Sequence, residues 1–129
     1  MILIDTSAWI DFFRGTKPMC DSVDTIIGAN EAAVCGPIIT ELRRGLYRSS
    51  QSHTVLSLLE GCHWLEAPKN LWVEAGDIGA FLSKRGTTVK TLDLLIATIA
   101  MAHGAAILTS DADFRHMQKD VGLLLVDAG

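Results

Sequence analysis

Apolar residues along this chain come either in short unbroken runs or at helical spacing. Residues 2–4 are continuously apolar and too few for a helix, which predicts a buried strand. Ala8, Trp9, Phe12 and Phe13 then follow a helical period that ends near Gly15. A second helix is expected over 18–28, closing at Gly28, and a short strand over 32–35. Pro37 suits a helix first turn, so 37–48 reads as a helix, and 51–60 as another that stops at Gly61. A brief strand at 63–65 comes before the helix begun by Pro68. The stripe of that helix is Leu71, Trp72, Ala75, Ile78, Gly79 and Leu82. Lys84, Arg85 and Gly86 end it, as helix C-termini prefer. Asp93 is expected to open an apolar helix over 93–102, closed by Gly104. Residues 105–109 read as a strand, 111–118 as a short helix and 121–126 as a last strand.

Strands alternating with helices predict an α/β fold with a mainly parallel sheet. With 129 residues and no linker, the expectation is a single domain over 1–129. A chain of this length buries roughly two-thirds of its unfolded surface, and 49% hydrophobic residues suffice for one core. Asp5 interrupts the first apolar run after four residues, which does not fit a secretory leader. No run approaches the ~20 apolar residues of a spanning helix. The expectation is a soluble, cytoplasmic protein with no membrane role. Cys20, Cys35 and Cys62 form no Cys-x-x-Cys pair, which fits reduced thiols in a cytosolic protein. The four histidines show no His-x3-His spacing, so zinc is not expected. The net charge of −4 counts against a generic nucleic-acid surface unless a bound cation offsets part of it.

Four acids share a pattern. Asp5 ends the first strand, Glu41 sits in PIITELRRG, Asp93 begins an apolar helix and Asp111 follows the strand AAILT. Each has a plain explanation alone. Asp at a helix start is a favoured cap worth ~1 kcal/mol over Ala, and an acid in a first turn suits the helix dipole. Taken together they ask for more. Strand C-termini and the helix starts that follow lie on one edge of a parallel sheet, where ligands bind. Glu41 belongs to no capping box, since Ile38 stands three residues before it, and its neighbours Ile38, Ile39 and Leu42 are apolar. Gathered carboxylates raise each other's pKa, so such a cluster implies protonation or a metal.

All-oxygen ligands suit Mg²⁺ or Mn²⁺, and Mg²⁺ pairs carboxylates with substrate phosphate. One ion or two ions ~3.5–4 Å apart would serve phosphoryl chemistry. Helical projection from Glu41 brings Gly45, Arg44 and Arg48 to one side. The two arginines are either phosphate contacts or part of a solvated face. Lys84, Arg85 and Lys90 are candidates for a basic rim. Thr6, Ser7, Thr109 and Ser110 border the acids, either holding a carboxylate or water, or capping helices; for Ser7 and Ser110 capping is the expectation. Asp113 is a further ligand if Asp111 lies before the helix proper.

IDTSAWIDF, ITELRRG, TLDLLIATIA and LTSDADF together resemble the PIN-domain ribonucleases, and among them the VapC toxins of bacterial toxin–antitoxin pairs. The resemblance runs from Ile2 to about Val126, with all four motifs in order. It implies a three-layer α/β/α sandwich and an endoribonuclease that needs Mg²⁺ or Mn²⁺, with transfer RNA as the substrate class. It maps the catalytic acids to Asp5, Glu41, Asp93 and Asp111, and adds Asp113 to Asp5, Asp93 and Asp111 as a possible metal ligand. Thr6 and Thr109 match the supporting hydroxyls. It further implies a homodimer and a cognate antitoxin that lays a helix in an apolar groove, for which Trp9, Phe12 and Phe13 are candidates.

Three other readings fit the sequence less well. A phospho-receiver domain needs an acid pair after the first strand, where only Asp5 stands. A haloacid-dehalogenase-type phosphatase needs an acid where Ser7 stands. A non-catalytic RNA-binding module of the same fold has no reason to keep all four acids.

Overall fold

Five short strands make one sheet in the computed structural model, which describes residues 1–128. They are Ile2–Ile4 (β1), Ala32–Val34 (β2), His63–Trp64 (β3), Ala106–Leu108 (β4) and Leu125–Val126 (β5). The helices are Thr6–Arg14 (α1), Met19–Gly28 (α2), Gly36–Leu46 (α3), Ser52–Glu60 (α4), Lys69–Lys84 (α5), Thr91–Ala102 (α6) and Asp113–Gln118 (α7). The strand order is β3-β2-β1-β4-β5, and every pairing is parallel. Ile2 pairs with Ala32 on one side and Ala106 on the other, which makes β1 the central strand.

Burial shows that both faces of the sheet are covered. Leu3 and Ile4 are neighbours along β1, so their side chains point to opposite faces, and both are 0% exposed. The same holds for Ile107 and Leu108 on β4. A strand buried on both faces reads as a continuous apolar run, which is what ILI and AIL are. Helices therefore pack on both sides, in an α/β/α sandwich. α1 ends at Gly15, whose φ of 68° lets its N–H reach back to the Asp11 and Phe12 carbonyls. α6 is buried at every residue from Asp93 to Ala100, as expected of a helix apolar all round. α5 lies against it, with Gly79 facing the Leu94 side chain. Among the described residues no helix is long and apolar enough to cross a membrane.

Four expectations need correcting. α6 starts at Thr91 after Lys90, so Asp93 lies in its first turn and does not open it. The cause is the extended Lys90 backbone, which puts the boundary among polar residues with no apolar signal. Trp72 does not join the buried stripe of α5: it is 55% exposed, and its indole N–H donates to the Ala67 carbonyl at 3.1 Å. α7 begins at Asp113, two residues later than expected, because Asp111 and Ala112 form the turn that enters it. α3 ends at Leu46, so the helical projection from Glu41 does not extend to Arg48.

Candidate active site

Chain order reverses between β1 and β4. From β1 the sheet grows through β2 and β3 on one side and through β4 and β5 on the other. In parallel sheets such a reversal opens a crevice at the strand C-termini. Asp5 directly follows β1, and Asp111 follows β4 after Thr109 and Ser110, so the crevice lies between them. The Asp5 N–H donates to the Leu108 carbonyl at 3.0 Å, which ties the two strand ends together. Receiver domains have strand order 2-1-3-4-5. The order here is different, which argues against a receiver domain.

Asp5 occupies the N-cap position of α1, yet its side chain makes no capping hydrogen bond. Instead Oδ2 accepts from Ser7 Oγ at 2.8 Å and from Thr109 Oγ1 at 2.9 Å. Those hydroxyls accept in turn from the loop after β4: Ser7 Oγ from the Ser110 N–H at 3.1 Å, Thr109 Oγ1 from the Asp111 N–H at 2.9 Å. Each hydroxyl thus bridges the Asp5 carboxylate and a backbone amide, and the two hydroxyl oxygens lie 3.1 Å from each other. Two clamps therefore fix the loop bearing Asp111 to the carboxylate after β1. Ser7 was expected to be a cap. Its pairing with residues a hundred positions away has no local sequence signal beyond the IDTS motif. Thr6 is placed similarly, donating to Glu41 Oε1 at 2.9 Å and so linking the start of α1 to α3.

Asp93, Asp111 and Asp113 each offer a carboxylate oxygen within 4.8 Å of the others. Asp111 Oδ1 also accepts the Asp113 N–H at 2.9 Å, so Asp111 orders the entry into α7 as well as facing the cluster. Electrostatics joins these three to the first two acids. The Asp93 carboxyl is pushed up to about 6, first by burial and then by the charges of Asp111, Asp5, Glu41 and Asp113. Burial also raises Asp5, opposed by the Ser7 and Thr109 hydroxyls. Burial pushes the nearby Cys35 thiol up to about 12, which leaves no thiolate for nucleophilic chemistry. Five acids, all oxygen donors, with one pushed up to about 6 by burial and by its neighbours, fit a hard divalent cation such as Mg²⁺ or Mn²⁺.

The basic candidates are placed unevenly. Arg44 and Arg48 are exposed at and beyond the end of α3. Arg85 is engaged elsewhere, donating to Asp120 Oδ1 at 2.9 Å. Beside Glu41 a cavity of about 160 Å³ opens among Ile10, Phe13, Leu46 and Gly45, and its arginine is Arg14, from α1. Of the three aromatics proposed for a groove, Trp9 is wholly buried. It stacks on Phe13 with ring centroids 5.9 Å apart and meets Phe12 edge-on. Phe13 alone of the three lines the cavity.

Comparison with known proteins matches this geometry. The PIN domain profile covers residues 2–120. Ribonuclease VapC11 of Mycobacterium tuberculosis is 35% identical over 119 residues, covering 88% of this chain and 89% of its own. Two solved structures share the fold. One is DNA-bound VapBC from Salmonella typhimurium, with TM-score 0.78 at 18% identity over 99% of this chain and 98% of that one. The other is a toxin–antitoxin complex from Klebsiella pneumoniae, with TM-score 0.76 at 17% identity over 100% and 98%. With the profile spanning nearly the whole sheet and all four acid motifs, the chain belongs to the PIN-domain family.

Proposed function

We propose that this chain, as one domain, is a Mg²⁺- or Mn²⁺-dependent endoribonuclease that hydrolyses RNA phosphodiester bonds. In this reading it is the cytoplasmic toxin of a toxin–antitoxin pair, works as a homodimer, takes transfer RNA as its substrate class, and is held in check by a cognate antitoxin. The observation that carries the proposal is the five-acid cluster at the crevice between β1 and β4, with three carboxylates in reach of one ion. The ribonuclease name of the mycobacterial relative supports the substrate. The Klebsiella complex supports the partner.

Asp93, Asp111 and Asp113 would hold the cation, with Asp5 completing the set. A bound divalent ion neutralises phosphate charge and lowers the pKa of its water toward neutrality. The protein's part is orientation. Ser7 and Thr109 both donate to Asp5 Oδ2, which fixes the carboxylate at the end of β1. Thr6 holds Glu41 by one oxygen, leaving the other to accept a proton from attacking water. Arg44 and Arg48 supply charge for flanking phosphates.

Purified protein incubated with a panel of RNAs tests this. Cleavage is expected with Mg²⁺ or Mn²⁺, and its loss with EDTA and in Asp5→Asn. Metal-independent cleavage, or full activity of Asp5→Asn, refutes the site. Undiminished RNA binding without cleavage under every metal condition would favour the non-catalytic module.

A further inference from the structure

We infer that the cavity beside Glu41 seats one pyrimidine base of the RNA next to the bond that is cut; the inference rests on the ribonuclease reading above. Glu41 belongs at once to the acid cluster and to the cavity wall. A chain whose phosphate lies over the acids therefore has an adjoining base within reach of this opening. The size is selective. An apolar cavity of ~150 Å³ accepts a single benzene ring, and this one measures about 160 Å³. That is room for a one-ring base.

The lining suits a base. Ile10 and Leu46 form apolar walls and Phe13 supplies an aromatic ring; splayed RNA bases characteristically rest on such rings. Two polar side chains stand at the rim. Arg14 offers donors, and Gln51 offers an amide that reads either donors or acceptors. Gln51 is steadied across the mouth by its Nε2 donating to the Phe13 carbonyl at 3.4 Å.

Charge favours a polyanion over a cationic peptide segment. Arg14 ends α1, and Arg43, Arg44 and Arg48 lie in the last turn of α3 or just after it, where helix dipoles favour cations. Among the described residues none of these four has a carboxylate within ion-pair distance. In a chain of net charge −4, this is an uncompensated basic fringe beside the acids. It is placed to carry the phosphates on either side of a seated base.

Gly45 provides the test. It lines the cavity, and a Cβ built there meets nothing within 4 Å, so a side chain can be added at the cavity wall without a backbone clash. Short RNAs differing at one position beside the cleavage site are cut by wild type, Gly45→Leu and Gln51→Ala. Wild type is expected to prefer a pyrimidine at that position. Gly45→Leu should lose the preference and cut the preferred RNA about tenfold to a hundredfold less well, the worth of one stacked base, while its thermal unfolding is unchanged or higher. Gln51→Ala, altered at an exposed residue, should weaken the preference even if Gly45→Leu folds poorly. Equal cutting of all four bases by wild type, or an unchanged preference in both variants, overturns the inference. So does a Gly45→Leu protein that keeps its preference and loses only antitoxin binding, which would make the cavity a protein seat. Titration with uridine monophosphate, followed at the Gly45 and Gln51 amide signals, separates this inference from the reading beneath it. Shifts there without any RNA cleavage would keep the base site and refute the ribonuclease; cleavage without such shifts would do the reverse.

Discussion

Asp93→Asn should make the metal-free protein more stable while it abolishes activity. The Asp93 carboxyl is lifted from an ordinary 3.8 to about 6 by burial and by four neighbouring acids. At ~1.4 kcal/mol per pH unit the full shift is worth roughly 3 kcal/mol, and solvent screening of the partly exposed carboxyl reduces this to roughly 2 kcal/mol at neutral pH. An amide of the same size removes it. Loss of a first-turn carboxylate takes back ~0.5–1 kcal/mol of helix-dipole stabilisation, so about 1 kcal/mol remains. For a chain of this size, that is a rise in melting temperature of roughly 3–5 °C. The sign follows from proton counting. Below pH 3.8 the carboxyl is protonated in both folded and unfolded states, and wild type suffers no penalty. Between 3.8 and about 6 the folded state binds more protons, so wild-type stability falls as pH rises, and above 6 the penalty is complete. Thermal unfolding in EDTA from pH 4 to 7 should show the gap between the proteins opening across that window. Saturating Mg²⁺ or Mn²⁺ should then close or reverse the gap, because an ion at a hundred times its Kd stabilises by ~2.7 kcal/mol only the protein that binds it. An Asp93→Asn protein that melts lower than wild type in EDTA at pH 7 would show that Asp93 serves the helix, and would refute the reasoning.

Other changes test the supports of the site. Ser7→Ala removes a donor to Asp5 and the acceptor of the Ser110 N–H, and should cost ~1–2 kcal/mol in urea unfolding. Hydrogen exchange at the Ser110 amide should become faster, and unchanged exchange would mean that the clamp is not holding the loop. On α5, Gly76 faces open space and Gly79 faces Leu94, where even a Cβ would lie 2.6 Å from Cδ2. Gly76→Ala should therefore stabilise by ~0.5–1 kcal/mol, while Gly79→Val should destabilise by ~1–3 kcal/mol through overpacking against α6. Equal effects at the two glycines would contradict the α5–α6 packing described.

How legible a feature was in the sequence depended on how local its cause is. The ILI and AIL runs announce doubly covered strands because burial on both faces leaves no polar alternation to confuse the pattern. α5 and α6 are equally plain, since each shows a periodic or continuous apolar stretch. Boundaries were less visible. The start of α6 is set by the extended Lys90 backbone, and Asp93 only looks like an opener because its apolar neighbours begin there. The carboxylates could be found because acids stand out against apolar strand ends. The hydroxyl clamp is half visible: Thr109 and Thr6 stand out as supports, but Ser7 looks like a cap. Its partners, Thr109 and Ser110, come within reach only when β1 and β4 pair. The basic side of the site was the least visible. Arg14 reaches the cavity beside Glu41 through packing of α1 on α3, which no spacing within α3 encodes.

The central claim is that acids drawn together by the β1–β4 crevice form a cation site. Titration of metal-free protein with Mn²⁺, with the free ion followed by electron paramagnetic resonance, tests it most directly. The account predicts saturable binding to wild type that is weakened at least tenfold in Asp93→Asn and in Asp111→Asn, both still folded. No saturable binding to wild type, or equal binding by all three proteins, would contradict it.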